Sequence, residues 1–166
     1  MGREMKRALL FPALVMAFAS PVQARESLGV FESWGAFRDA AVPRCYAIAE
    51  PAARTDKGRW RAFAAVGYWP KKSVRGQVHF RLSREWDRKS DVILSIGVRR
   101  FTLIGGGADA WAPDKRADAA IIAAIRSGAS LRVQTRGKNG ASFADVYALR
   151  GAATAIDAAA LACARL

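Results

Sequence analysis

The chain has 166 residues, 27 Lys and Arg against 14 Asp and Glu for a formal charge of +13, one histidine and two cysteines. That length suits one ordinary domain, and one histidine with two cysteines supplies no plausible zinc set. A basic surplus of this size raises solubility and attracts polyanions.

Residues 1–24 have the anatomy of a cleavable export leader. Arg3, Lys6 and Arg7 form the positive end, Ala8 to Ala19 is apolar apart from a break at Pro12, and Val22 and Ala24 are small residues at the cleavage-reading positions. Cleavage is expected after Ala24. Arg3 and Arg7 are not paired, which argues against twin-arginine export, and the absence of a cysteine at the cleavage point argues against a lipoprotein anchor. The alternative is an uncleaved N-terminal anchor. The apolar run is shorter than the ~20 residues of a transmembrane helix, and no other stretch approaches that length, so no transmembrane span is expected. The remaining chain, 25–166, carries +11. Its destination is the periplasm or the exterior, which removes cytoplasmic nucleic acid and nucleotide cofactors from the front rank of partners. In that oxidising compartment Cys45 and Cys163 are expected to pair. A loop this long would be constrained by about 4–5 kcal/mol in the entropic model. The alternative is two separate buried thiols.

Short alternating segments dominate residues 25–166, so strands should prevail. Val30 to Arg38, with Phe31, Trp34 and Phe37, reads as a first strand, and Arg44 to Glu50 as a second, ended by Pro51. Thr55-Asp56-Lys57-Gly58 reads as a turn before a strand from Trp60 to Trp69, stopped by Pro70. Gln77 to Ser83 sets Val78, Phe80 and Leu82 against Gln77, His79, Arg81 and Ser83. Asp91 to Ile96 alternates again and turns through Gly97-Val98-Arg99-Arg100 into Phe101 to Ile104, with Gly105-Gly106-Gly107 as a flexible break. A helix is expected from Ala119 to Arg126, capped by Asp118 and ended by Ser127-Gly128. Leu131 to Arg136 and Ala141 to Leu149 form the last hairpin, and Ala152 to Ala164 a C-terminal helix. Some seven strands with a short helix before the last hairpin and another at the end predict a mainly β single domain. A β-sandwich is the first expectation and a small closed barrel the second.

Chemistry-bearing patterns are few. His79 is the only histidine, it lies within a strand, and no Gly-x-Ser-x-Gly elbow accompanies it. It is expected to be a solvated or half-buried strand residue. The four glutamates beyond the leader, Glu26, Glu32, Glu50 and Glu85, form no paired pattern for glycoside hydrolysis. Asp87 and Asp91 are expected to pair with Arg84, Arg88 or Lys89. Asp145 is expected to bond a backbone amide or a neighbouring arginine. The three-glycine run lacks the lysine of a phosphate loop. The sequence points to no catalytic residue, metal or cofactor.

Basic residues are concentrated in groups: Arg54, Lys57, Arg59 and Arg61; Lys71, Lys72 and Arg75; Arg81, Arg84, Arg88 and Lys89. Arg99 with Arg100, and Arg132, Arg136 and Lys138, are assigned to two hairpin tips. Such charges also protect sheet edges from aggregation. Trp34 and Trp111 are assigned to the core. Trp69, beside Pro70-Lys71-Lys72, is the aromatic placed best to reach a partner, although large aromatics more often bury most of their area. The candidate ligand contacts are therefore Trp69, Lys71, Lys72, Arg75, Arg84, Arg88 and Lys89.

One ordered series spans nearly the whole chain after the leader: Trp34, Cys45-Tyr46 with Pro51 beyond, Phe101, Ala110-Trp111, Ala124-Ile125-Arg126-Ser127-Gly128, Asp145-Val146-Tyr147-Ala148-Leu149-Arg150-Gly151, and Cys163. In that order and behind a leader, the chain resembles the invasion-associated locus B family of alphaproteobacterial exported proteins. The resemblance implies an immunoglobulin-like sandwich. Some members have four cysteines; with two, this chain lacks any second bridge. The family name records an association with host-cell entry and describes no chemical activity. The functional expectation is an exported cell-envelope protein that binds an acidic envelope component or a protein partner without catalysis. The alternatives are a binder of acidic glycan, lipopolysaccharide or extracellular nucleic acid, and a hydrolase of envelope polymers.

Overall fold

A computed structural model describes residues 25–53 and 61–164. The leader, the expected turn at 55–58 and the start of the strand at Trp60 lie outside the described residues. The fold is mainly β with two helices. Its strands are β1 (Glu26–Phe31), β2 (Trp34–Asp39), β3 (Arg44–Ala49), β4 (Phe63–Trp69), β5 (Val74–Arg81), β6 (Val92–Ile96), β7 (Arg99–Gly106), β8 (Asp109–Trp111), β9 (Ser130–Arg136) and β10 (Ser142–Ala148). The helices are α1 (Lys115–Ser127) and α2 (Ala152–Ala164).

All ten strands join in one antiparallel order, β1-β2-β3-β4-β5-β8-β7-β6-β9-β10, curled into a half-barrel. β7 makes the curl: Arg99 to Leu103 pairs with β6, whereas Ile104 to Gly106 pairs with β8. Gly105 sits at φ 151°, where an added Cβ would lie 2.2 Å from the Asp109 carbonyl oxygen, so only glycine lets β8 approach so closely. The glycine run expected to break the chain thus supplies the end of a strand.

Alternation decides which way each strand faces. Val78 and Phe80 of β5, Val92, Leu94 and Ile96 of β6, and Leu131 and Val133 of β9 all point into a single core. Both helices pack on that side. α2 contributes Ala152, Ala155, Ile156 and Ala159, whose spacing puts one face against β1 to β4. Asp145 is buried and accepts from the Ser83 amide at 2.8 Å, the backbone role expected of it. Cys45 of β3 and Cys163 near the end of α2 are joined by a disulfide beside Ala159, Ala162 and Tyr68. No helix among the described residues is long and apolar enough to cross a membrane.

The structure corrects two expectations about elements. The single strand expected over Val30 to Arg38 is two strands joined by the two-residue turn Glu32-Ser33, with Phe31 paired to Trp34. Phe31 and Trp34 have opposite parity and cannot share a face of one strand, so the aromatic spacing itself marked a reversal. Helix α1 starts earlier than expected. Asp114 caps it by accepting from the Ala117 amide at 2.7 Å, while Asp118 accepts from the Val78 amide at 2.7 Å and ties α1 to β5.

The two ends of the strand order meet. Trp34 Nε1 donates to the Ala148 carbonyl at 2.8 Å and the Ala52 amide to the Val146 carbonyl at 2.7 Å, covering part of the β10 edge.

Candidate functional site

The seven candidate contacts fall into two separate groups. Lys71 and Lys72 are exposed on a single 3-10 turn, Pro70–Lys72, between β4 and β5, with Arg75 just beyond. Arg84, Arg88 and Lys89 follow the other end of β5. Eight residues of strand separate the groups by about 25 Å. Trp69 is half-buried and its ring lies over Gly67, where a Cβ would come within 2.5 Å of it. Beside this turn is a cleft of about 450 Å³ lined by Tyr68, Ser73, Arg75, Ala160 and Cys163. At the far end, Arg84 stacks over Phe143 at 5.6 Å, and Asp87 accepts from the Lys89 amide at 3.1 Å.

A third basic group emerges only from strand pairing. Arg100 of β7 lies opposite Ser95 of β6, and Ser95 lies opposite Arg132 of β9. Gln134 and Arg136 follow on the same outward face of β9, with Ser142 of β10 opposite Arg136. Two strand spacings set Arg100 and Arg132 about 10 Å apart, and four residues set Arg132 and Arg136 about 13 Å apart. These arginines stand on strands, not at the hairpin tips to which the sequence assigned them.

What distinguishes this group is where the carboxylates went. Glu26, Asp39, Glu50, Glu85, Asp109, Asp157 and Glu32 pair with Arg38, Arg44, Arg61, Lys138, Arg81, Arg126 and Arg150. Asp87, Asp114, Asp118 and Asp145 accept from backbone amides. Among the described residues, none of Arg100, Arg132 and Arg136 has a carboxylate within ion-pair distance. Arg132 Nε donates to Gln134 Oε1 at 3.2 Å and Arg136 Nη1 to the Gly140 carbonyl at 3.4 Å, which leaves donors of both facing outward. Arg100, Arg136, Ser95, Gln134 and Ser142 line an open depression of about 380 Å³, with Asp91 at its side as the one acidic lining residue.

His79 anchors a different cluster. Its Nε2 bonds Asp109 Oδ1 at 2.9 Å, Trp111 stacks on its ring at 4.8 Å, and Phe63 meets it edge-on at 5.1 Å. Trp111 is therefore half-buried on the outer face of β8 and not in the core, because its parity matches His79 and not the inward-facing Ala110. Asp109 also pairs with Arg81 at 3.5 Å. Nothing in the residue order signalled the His79–Asp109 pair, because β5 and β8 neighbour each other only after β6 and β7 have looped out. Among the described residues no serine, threonine or cysteine side chain bonds His79, and no three His, Cys, Asp or Glu side chains are placed to hold a metal ion.

Burial lowers the His79 pKa below its ordinary 6.5, outweighing the raising effect of Asp109 and joined by a smaller lowering from Arg81. The unfolded chain then binds more protons than the folded one as pH falls through 6.5, so stability is complete above that pH and declines below it. The wild-type melting temperature is expected to fall more between pH 7.5 and 5.5 than that of His79→Gln. Equal falls would show that the ring titrates freely.

Compared with protein-family models, curated proteins and solved structures, the chain matches none of them. The resemblance to the invasion-associated locus B family rests on the ordered residues alone.

Proposed function

We propose that the protein is an exported, disulfide-stapled module of the cell envelope that works by holding an acidic partner and performs no reaction of its own. The observation that carries this reading is the trio Arg100, Arg132 and Arg136, left facing outward without carboxylate partners among the described residues while carboxylates elsewhere are taken up by ion pairs and backbone amides. Exposed large apolar side chains give less support to an apolar protein partner. Val30, Val42, Val98, Ile104 and Leu161 come from five separate places in the chain. The leader anatomy of residues 1–24 and the Cys45–Cys163 bridge support a destination outside the cytoplasm. The ordered series from Trp34 to Cys163 supports membership of the invasion-associated locus B family. The two portions of the sheet that share β7 support describing the half-barrel as a distorted immunoglobulin-like sandwich.

The test is capture from envelope fractions of the native organism with the immobilised, oxidised protein. An acidic component retained at about 50 mM salt and released by about 200 mM is the expected result, since contacts to a polyanion weaken steeply with salt. Capture of nothing, or of one protein equally at both salts, would contradict the reading.

A further inference from the structure

The arrangement on β7, β6, β9 and β10 specifies more than a preference for negative charge. Arg100, Ser95 and Arg132 form a row directly across three strands, and Gln134 and Arg136 continue it along β9. We propose that this face is a binding site for a linear acidic polysaccharide, with the three arginines holding successive carboxylate or sulfate groups and Ser95, Gln134 and Ser142 bonding the sugar hydroxyls between them. The proposal rests on the reading of the protein as a holder of an acidic partner and gives it a location and a ligand class.

Three features of the face select this ligand. First, guanidinium groups about 10 and 13 Å apart cannot be bridged by one small anion. A chain with repeated acids can reach all three, and each contact after the first is intramolecular. Guanidinium also matches the planar fork of a carboxylate or sulfate oxygen pair. Second, the outward positions Arg100, Thr102, Ile93, Ser95, Arg132 and Gln134 include no aromatic, and nor do Ser142, Ala144 and Val146 beside them on β10. The stacking platforms on which single-stranded nucleic acid depends are therefore missing. Third, a membrane surface is recognised by clusters of about 4–8 cations or by an apolar helix face inserted below the headgroups. Three arginines among hydroxyls and an amide provide neither. Sugar hydroxyls, which both donate and accept, do fit the Ser95, Gln134 and Ser142 side chains.

The test compares the oxidised wild type with Arg100→Gln/Arg132→Gln/Arg136→Gln and with a control that removes equal charge elsewhere, Lys71→Gln/Lys72→Gln/Arg75→Gln. All six positions are exposed, and circular dichroism checks that each variant folds. The probes are polygalacturonate and a sulfated glycosaminoglycan, with single-stranded DNA and anionic phosphatidylglycerol vesicles beside them. The arginine triple is expected to raise the dissociation constant for the acidic polysaccharides on the order of 30-fold, since each lost charged contact is worth roughly tenfold before solvent screening. The control should change it by less than about threefold, and affinity should rise with oligosaccharide length. Equal losses in both triples would overturn the proposal, as would tighter binding of DNA or vesicles than of polysaccharide. If the wild type binds no acidic polysaccharide yet still captures a salt-released envelope component, the ligand class is wrong and the functional reading stands. If it captures nothing from the envelope either, both fall.

Discussion

Replacing Cys45 and Cys163 together by alanine is expected to lower the unfolding free energy by close to 5 kcal/mol, the largest effect of any change in the molecule. The bridge spans 118 residues, and closing a loop of that length removes much of the freedom of the unfolded chain. The bridge also holds an element with little else to hold it at its end. α2 buries mainly alanines, with Ile156 as its one large fully buried side chain, so its apolar burial per turn is small. The bridge fixes its last turn to β3 beside Tyr68. A domain of this size has about 5–15 kcal/mol in total, so the double variant should lose a third or more of it. Urea unfolding of the oxidised protein against Cys45→Ala/Cys163→Ala measures this, and amide exchange should quicken first in residues 159–164. A difference under about 1.5 kcal/mol would mean that the packing of α2 is self-sufficient.

Trp34→Ala is expected to cost about 3–5 kcal/mol. The side chain is only 1% exposed and heads the fully buried residues by volume, so truncation leaves a cavity that a β-sheet cannot collapse to fill. It also orphans the Ala148 carbonyl, whose bond from Trp34 Nε1 joins β2 to the far end of the strand order. At that junction Gly151, at φ 84°, lies so near the Phe31 carbonyl that an added Cβ would sit 1.9 Å from its oxygen. The β1–β2 turn, the end of β10 and the start of α2 therefore move together. Trp34→Phe should cost about 1–2 kcal/mol more than its loss of volume, the worth of a buried hydrogen bond. Equal losses for the two variants would place the stability in the hydrogen bond instead of in the packing.

Much of the fold could be read from residue order because its strands alternate. The inward sets of β5, β6 and β9 and the spacing of α2 are local patterns, and the disulfide followed from the expected compartment. Pairing is not local. β8 is only three residues long, too short for periodicity to register, yet it inserts between β5 and β7 and decides the order of the whole sheet. The same limit hid both side-chain clusters. His79 and Asp109 are partners through the β5–β8 register, and Arg100 and Arg132 become neighbours because β6 lies between them with Ser95 as the shared opposite residue. Read along the chain, those arginines resembled ordinary solubilising charge near turns. The contacts proposed at Trp69, Lys71, Lys72 and Arg75 were chosen for proximity in sequence, and the fold sets them at the opposite end of β5 from Arg84, Arg88 and Lys89.

The salt dependence of binding tests the central claim most directly. For the oxidised protein and an acidic polysaccharide, the logarithm of affinity should fall linearly with the logarithm of salt concentration, and the slope should shrink by about one for each arginine removed from the face. A shallow slope in the wild type, or a slope unchanged in Arg100→Gln/Arg132→Gln/Arg136→Gln, would contradict contact through this charged sheet.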